Sequence, residues 1–129
     1  KPLTLEAVTL DTALGERNIE NVKILKIDIE GAEQQACNGA RQALERHAIP
    51  FVISELNDFG LHQLDTSQEG FRAFMKDLGY DTFLMDRAGG FPKLVPNSVA
   101  IASKSKSVSN VLFSRLEFVG PYWNVETIE

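Results

Sequence analysis

Residues 22–29, VKILKIDI, are dense in valine, isoleucine and leucine, short enough for one strand, and closed by glycine at position 31. Directly after them the period changes. In 32–46, AEQQACNGARQALER, Ala32, Ala36, Ala40 and Ala43 recur at helical spacing. A buried-type strand that passes through a glycine turn into a helix with a small-residue face constrains the fold more than any other feature. Such a helix can lie close against the sheet to which its strand belongs. Gly39 weakens that helix by about 1 kcal/mol relative to alanine, a loss that close packing offsets.

The pattern then repeats. Pro50 introduces a second buried-type strand over 51–56, FVISEL. A polar loop leads to a helix carrying Phe71, Phe74, Met75 and Leu78 as one apolar stripe. Thr66 and Glu69 have the T-x-x-E spacing of a capping box, and Gly79 stops the helix. Residues 80–86, YDTFLMD, and 98–103, SVAIAS, read as the last two strands. Between them RAGGFPKLVPN, 87–97, is a loop too long for a tight hairpin and a candidate substrate-side loop. Upstream, Val8 and Leu10 alternate within 4–10, and Asp11 is placed to cap a short helical turn over TAL. The order strand–helix–strand–helix–strand–strand predicts an α/β three-layer sandwich with parallel early strands and an antiparallel finish.

Length and charge narrow the function. A chain of 129 residues fits one domain with a real core. Its net charge of −5 argues against a nucleic-acid or anionic-membrane surface, which needs a basic face. No apolar run approaches the roughly 18 residues of a membrane span, and there is no secretory-type start. Cys37 is the single cysteine, which excludes an intrachain disulfide and a cysteine-based metal cluster and makes a reducing, cytoplasmic home the default expectation. Lys1 in place of methionine suggests a chain processed or cut from something longer.

In open α/β sheets ligands bind beyond the carboxyl ends of the strands. That rule selects Asp28 and Glu55, which close the two buried-type strands. Neighbouring strands lie about 4.8 Å apart, so these carboxylates would share one crevice with Glu30, with Lys26 two residues before Asp28 as a partner. Crowded carboxylates repel, which strengthens the hold of one of them on a proton. Such a group can accept a proton from a hydroxyl, bind a divalent cation, or simply face water. Glu33, on the first helical turn, suits the positive end of a helix as well as a site. His47 and His62 stand apart from the acids, and Cys37 reads as a small packing residue.

VTLDTAL at 8–14, ILKIDIEGAEQQACNGARQAL at 24–44, PFVISEL at 50–56 and LGY at 78–80 resemble the FkbM family of S-adenosylmethionine-dependent methyltransferases. The resemblance runs from about residue 5 to about residue 103. It implies a partial class I, Rossmann-like methyltransferase sheet with a terminal antiparallel pair, VKILKIDI standing as the fourth strand and FVISEL as the fifth. It also implies methyl transfer to a hydroxyl of a sugar or natural product, with S-adenosylmethionine as cofactor and a small-molecule or saccharide acceptor. Carried over residue by residue, Asp28 accepts the proton or orients the acceptor, Glu30 and Glu55 support it, and Glu33 matches the acid on the first helical turn.

The family's Gly-rich cofactor turn has no counterpart: none of the nine glycines forms a G-x-G. The expectation is therefore the carboxyl-terminal half of such a domain over 1–104, with 105–129 an aromatic-containing tail. That tail carries Phe113, Phe118, Tyr122 and Trp123, suited to packing or dimerisation. Two other readings stand beside the enzyme. One is a non-catalytic assembly or binding module, a homodimer or a partner of the missing amino-terminal half, since open sheet edges favour pairing. The other is a metal-dependent hydrolase built on Asp28, Glu30 and Glu55.

Overall fold

Along FVISELN side chains alternate between one fully covered face and one half-covered face, and this makes β2, Phe51–Asn57, the strand on which both layers meet. A computed structural model describes residues 1–101 and 108–129. In chain order its elements are α1 (Leu10–Glu16), β1 (Ile24–Ile27), α2 (Glu33–Asn38), α3 (Arg41–Glu45), β2, α4 (Asp58–Gln63), α5 (Gln68–Asp77), β3 (Asp81–Leu84), β4 (Lys93–Val95), β5 (Val108–Ser114) and α6 (Leu116–Val119). The five strands form one mixed sheet in the order β1-β2-β5-β3-β4. β1 and β2 run parallel, with Ile27 opposite Ser54, and the other pairings between these strands are antiparallel. This is an α/β fold with a Rossmann-like arrangement, and its sheet is open.

The two faces are covered differently. Val52, Leu56, Val111 and Phe113 point into the main core with Leu44, Leu61, Phe71 and Met75 from the helices. On the opposite face Phe83 and Leu112 are covered by Val119, Trp123 and Val125 from the carboxyl segment. That segment also extends the β4 edge. The Leu94 N–H donates to the Glu126 carbonyl and the Ile128 N–H donates to the Leu94 carbonyl, both at 2.8 Å. Among the described residues no helix is long and apolar enough to cross a membrane.

Several expectations are corrected. The helix expected over 32–46 is two, broken at Gly39 and Ala40. Asp11 does not cap its own helix, where Thr9 is the cap. Its carboxylate instead accepts from the Gln42 and Ala43 N–H groups at 2.9 and 3.0 Å and so starts α3. The expected capping box does not form: Ser67 caps α5 by accepting from the Gly70 N–H at 3.0 Å, and glycine has no side chain to reach back. The hydroxyl of Thr66 donates to the Leu61 carbonyl at 2.9 Å. β1 is shorter than 22–29 and half exposed, because β2 is its one neighbour among the described residues. Of the strand expected at 98–103, residues 98–101 are turn and irregular chain, and 102–103 lie outside the described residues. The antiparallel finish exists, but β5 supplies it from the stretch read as a tail, and β4 lies inside the stretch read as a loop.

One reason 98–101 is not a strand is Arg72, buried beneath it. Its guanidinium donates to the carbonyls of Val95, Pro96 and Val99 at 3.0, 2.9 and 2.8 Å, with no carboxylate in reach among the described residues. Gln68 completes the clamp through two hydrogen bonds to the Ile101 backbone, at 3.0 and 3.1 Å. Carbonyls spent on side chains are not free for a strand ladder.

Asp11→Ala removes both acceptors at the start of α3 while leaving the core intact. The expected loss is about 1–2 kcal/mol of stability by urea denaturation, with an unchanged denaturant slope.

Candidate functional site

The carboxyl ends of β1 and β2 are held together by contact between two glycines. Gly31, in the turn after β1, has φ +113°, and a Cβ there would overlap the Gly60 carbonyl carbon. The converse holds as well: a Cβ at Gly60 would overlap the Glu30 carbonyl oxygen. The turn after β1 therefore lies directly against the first turn of α4, which begins where β2 ends. Glu30 pays a conformational cost in this arrangement, sitting at φ +59° in the left-handed region.

Asn57 ties the two turns at side-chain level. Its carbonyl oxygen accepts from the Gly60 N–H at 3.0 Å, capping α4, while its amide group donates to the Glu30 carboxylate at 3.2 Å. The result brings Asp28, Glu30 and Glu55 together: one carboxylate oxygen of each lies within 4.8 Å of the others. Asp28 and Glu30 are exposed and Glu55 is half-buried. Burial, and then the charges of Asp28, Glu30 and Glu33, push the Glu55 carboxyl above its ordinary range, with Arg87 opposing. These three acids are also a set of oxygen donors that a divalent cation could use.

Glu33 takes a different position. Its side chain is fully buried, and one carboxylate oxygen accepts from the Ile29 N–H at 3.1 Å. The other has no partner among the described residues. It braces the turn from beneath and does not join the three acids. Cys37 is buried as well, and its thiol is pushed up to about 12 by burial and then by Glu33, which suits packing and not nucleophilic attack. His47 lies at the other end of the sheet, where one ring nitrogen is 3.1 Å from the Arg115 guanidinium.

Two cavities meet at β1. A polar basin of about 440 Å³ is lined by Lys26, Asp28, Ser54, Glu55, Asp86, Arg87 and Asn110. It opens on the sheet face where the carboxyl segment stops covering the strands. A longer groove of about 840 Å³ runs along β1 and is lined mainly by apolar side chains such as Val8, Leu25 and Ala36. Lys26 and Asp28 border both. Sequence reasoning named Asp28, Glu30, Glu55 and Lys26, and placed Arg87 at the start of the candidate substrate-side loop, but missed Asn57, Asp86 and Asn110. Asn57 carried a signal, an asparagine between a strand and a helix in the preferred cap position. Asn110 carried none, because it arrives on β5.

The family model described as Methyltransferase FkbM domain matches residues 1–82. The chain belongs to the FkbM methyltransferase family. No curated protein and no solved structure matches it. The matched stretch contains α1, β1, β2 and the three clustered acids; Asp86, Arg87 and Asn110 lie beyond it. The family glycine in KIDIEG has a physical reason in this chain, since only glycine fits at the contact with Gly60.

Gly31→Ala meets both a backbone clash and a disfavoured φ. It is expected to lower stability by at least about 2 kcal/mol in urea denaturation. Gly15→Ala, in a helix with open space around it, should be neutral or stabilising by a few tenths to about 1 kcal/mol.

Proposed function

We propose that this chain forms the acceptor side of an S-adenosylmethionine-dependent O-methyltransferase acting on a hydroxyl of a sugar or natural product. One observation carries the reading. In a chain of the FkbM family, three carboxylates converge at the carboxyl ends of two parallel neighbouring strands, and two of them, Asp28 and Glu55, stand on the wall of a polar basin.

An acceptor hydroxyl is a weak nucleophile near neutral pH, so the reaction needs a group that takes its proton while the oxygen gains a methyl group. Asp28 is the residue assigned that role: it borders the basin and is exposed to an incoming hydroxyl. As the new O–CH₃ bond forms, the hydroxyl O–H bond breaks and the proton passes to the Asp28 carboxylate. Glu30, fixed by Asn57, orients the acceptor from the side. Burial and the neighbouring acids raise the Glu55 carboxyl above the ordinary glutamate value, which makes its protonated form easier to reach beside the acceptor.

S-adenosylmethionine, when bound, would supply the methyl group, its S–CH₃ bond breaking as the O–CH₃ bond forms and S-adenosylhomocysteine leaving. The described residues do not compose its pocket. The groove along β1 is mostly apolar, with Thr9, Lys26, Asp28 and Gln35 as its polar lining, and no Gly-rich turn borders it. The chain's own residues are thus assigned to the acceptor alone.

The second reading, an assembly module, is favoured by the outer edge of β1, which is open among the described residues. Ile24 is 55% exposed there, beside the groove.

The test is transfer of a labelled methyl group from S-adenosylmethionine to a panel of sugar and natural-product hydroxyls, with the chain fused to the cofactor-binding half of another FkbM-family methyltransferase. Methyl-ether product that falls at least about 100-fold in Asp28→Asn, with unchanged thermal unfolding, is the expected result. Absence of product with every acceptor, or equal rates in Asp28→Asn, contradicts the assignment.

A further inference from the structure

We propose that the open edge of β1 is closed by a second copy of this chain, whose residues 3–8 lie along it as an added antiparallel strand. The inference rests on the assembly reading, for which it names the partner. Residues 1–9 form neither helix nor strand. Their sequence nevertheless alternates as a strand does: Leu3, Leu5 and Ala7 would share one side, and Thr4, Glu6 and Val8 the other. Leu3 is 81% exposed, Leu5 77% and Val8 56%, so the apolar side chains of this arm are left without cover on their own chain. Ala7 and Val8 line part of the groove beside β1, whereas Leu3 and Leu5 do not line it.

β1 offers what the arm lacks. Its outer edge presents backbone N–H and C=O groups with no neighbouring strand among the described residues. Leu25, Ile27 and Ile29 line the groove along that edge, and Ile29 is 47% exposed. An antiparallel register that sets Glu6 opposite Lys26 also sets Leu5 opposite Ile27, Ala7 opposite Leu25 and Val8 opposite Ile24. Just past the end of β1, Thr4 comes level with Asp28 and Leu3 with Ile29. Each apolar residue of the arm then meets an apolar one, and its single acid meets the single base of β1. The parallel register that keeps Leu5 opposite Ile27 puts Glu6 opposite Asp28, and like charges placed so oppose pairing. The charges therefore choose the direction.

Two copies related by a two-fold axis make this exchange twice, each arm closing the other's edge. Exchange of one identical element is a low-cost route to a dimer, and it removes both open edges at once. Backbone hydrogen bonds supply the affinity of such strand addition, and the alternate side chains supply its register. The exchange also reaches the acids. Thr4 of the second copy stands beside Asp28, which borders both the groove and the basin, and its hydroxyl can donate to that carboxylate. One copy thus completes the outer wall of the other's site.

Sedimentation equilibrium between about 1 and 100 μM chain is the first measurement, and the expected result is a concentration-dependent dimer. Leu5→Asp leaves the core untouched and should weaken that dimer at least about tenfold. Glu6→Lys should weaken it severalfold, and Glu6→Lys combined with Lys26→Glu should recover most of the loss. A Val8→Cys chain mixed with an Ile24→Cys chain should form a mixed disulfide under mild oxidation, more than either variant does alone. Cys37 is buried and stays out of that reaction. A dimer indifferent to Leu5→Asp, or a mixture without the mixed disulfide, overturns this inference and leaves the assembly reading to another face. A chain that stays monomeric throughout overturns both.

Discussion

The approach of Gly31 to Gly60 is the contact on which the site depends. Parallel strands β1 and β2 need only run side by side for the sheet to form, and nothing in that ladder dictates where the chain goes after each strand ends. Because the two backbones touch, the turn after β1 and the start of α4 become one unit. Glu30 is then forced into a left-handed conformation and pinned by Asn57, and Asp28 and Glu55 are left facing each other across the strand pair. Crowding acids in this way opposes stability. The covalent economy of two glycines, together with the buried brace of Glu33 on the Ile29 N–H, holds them there regardless.

The second constraint is the unequal covering of the sheet. Helices α2 to α5 pack one face and the carboxyl segment with α6 packs part of the other, leaving bare the strand ends that carry the acids. β5 serves both purposes. It fills the centre of the sheet between β2 and β3, and its first residues bring Asn110 to the basin wall. Arg72 and Gln68 matter because they fix the chain at 95–101 on the route from β4 towards β5. Family membership supplies the reaction class, and this geometry supplies the reason why Asp28 and Glu30 of the KIDIEGAE block stay exposed while Glu33 is buried beneath them.

Much of this was legible in the amino-acid order. A strand and a glycine turn leading into helix within 22–46, a strand at 51–56 and the α5 stripe follow from periodicity and glycine placement, and Asp28 and Glu55 follow from their strand ends, although the one helix expected over 32–46 is two. Tertiary partners decided the rest. Asp11 caps a helix 31 residues away, a choice that local spacing assigns to its own turn. Ser67 wins the cap that Thr66 was expected to make, because the Thr66 hydroxyl is used by the Leu61 carbonyl. SVAIAS is strand-like in composition, but Arg72 and Gln68 take up its backbone at Val99 and Ile101. VLFS, by contrast, is a central strand that was hidden among tail-like aromatics. Glu33 stands in the first turn of α2 as a helix-end charge would, but it is also fully buried and braces the Ile29 N–H, which local spacing does not show.

The central claim is that Asp28, Glu30 and Glu55 behave as one coupled set. An NMR pH titration of the Glu55 side-chain carboxyl tests it most directly, in the parent chain and in Asp28→Asn. The account predicts a Glu55 midpoint above the ordinary glutamate range, moving downward when the Asp28 charge is removed. An ordinary midpoint in the parent chain, or one indifferent to Asp28→Asn, would contradict it.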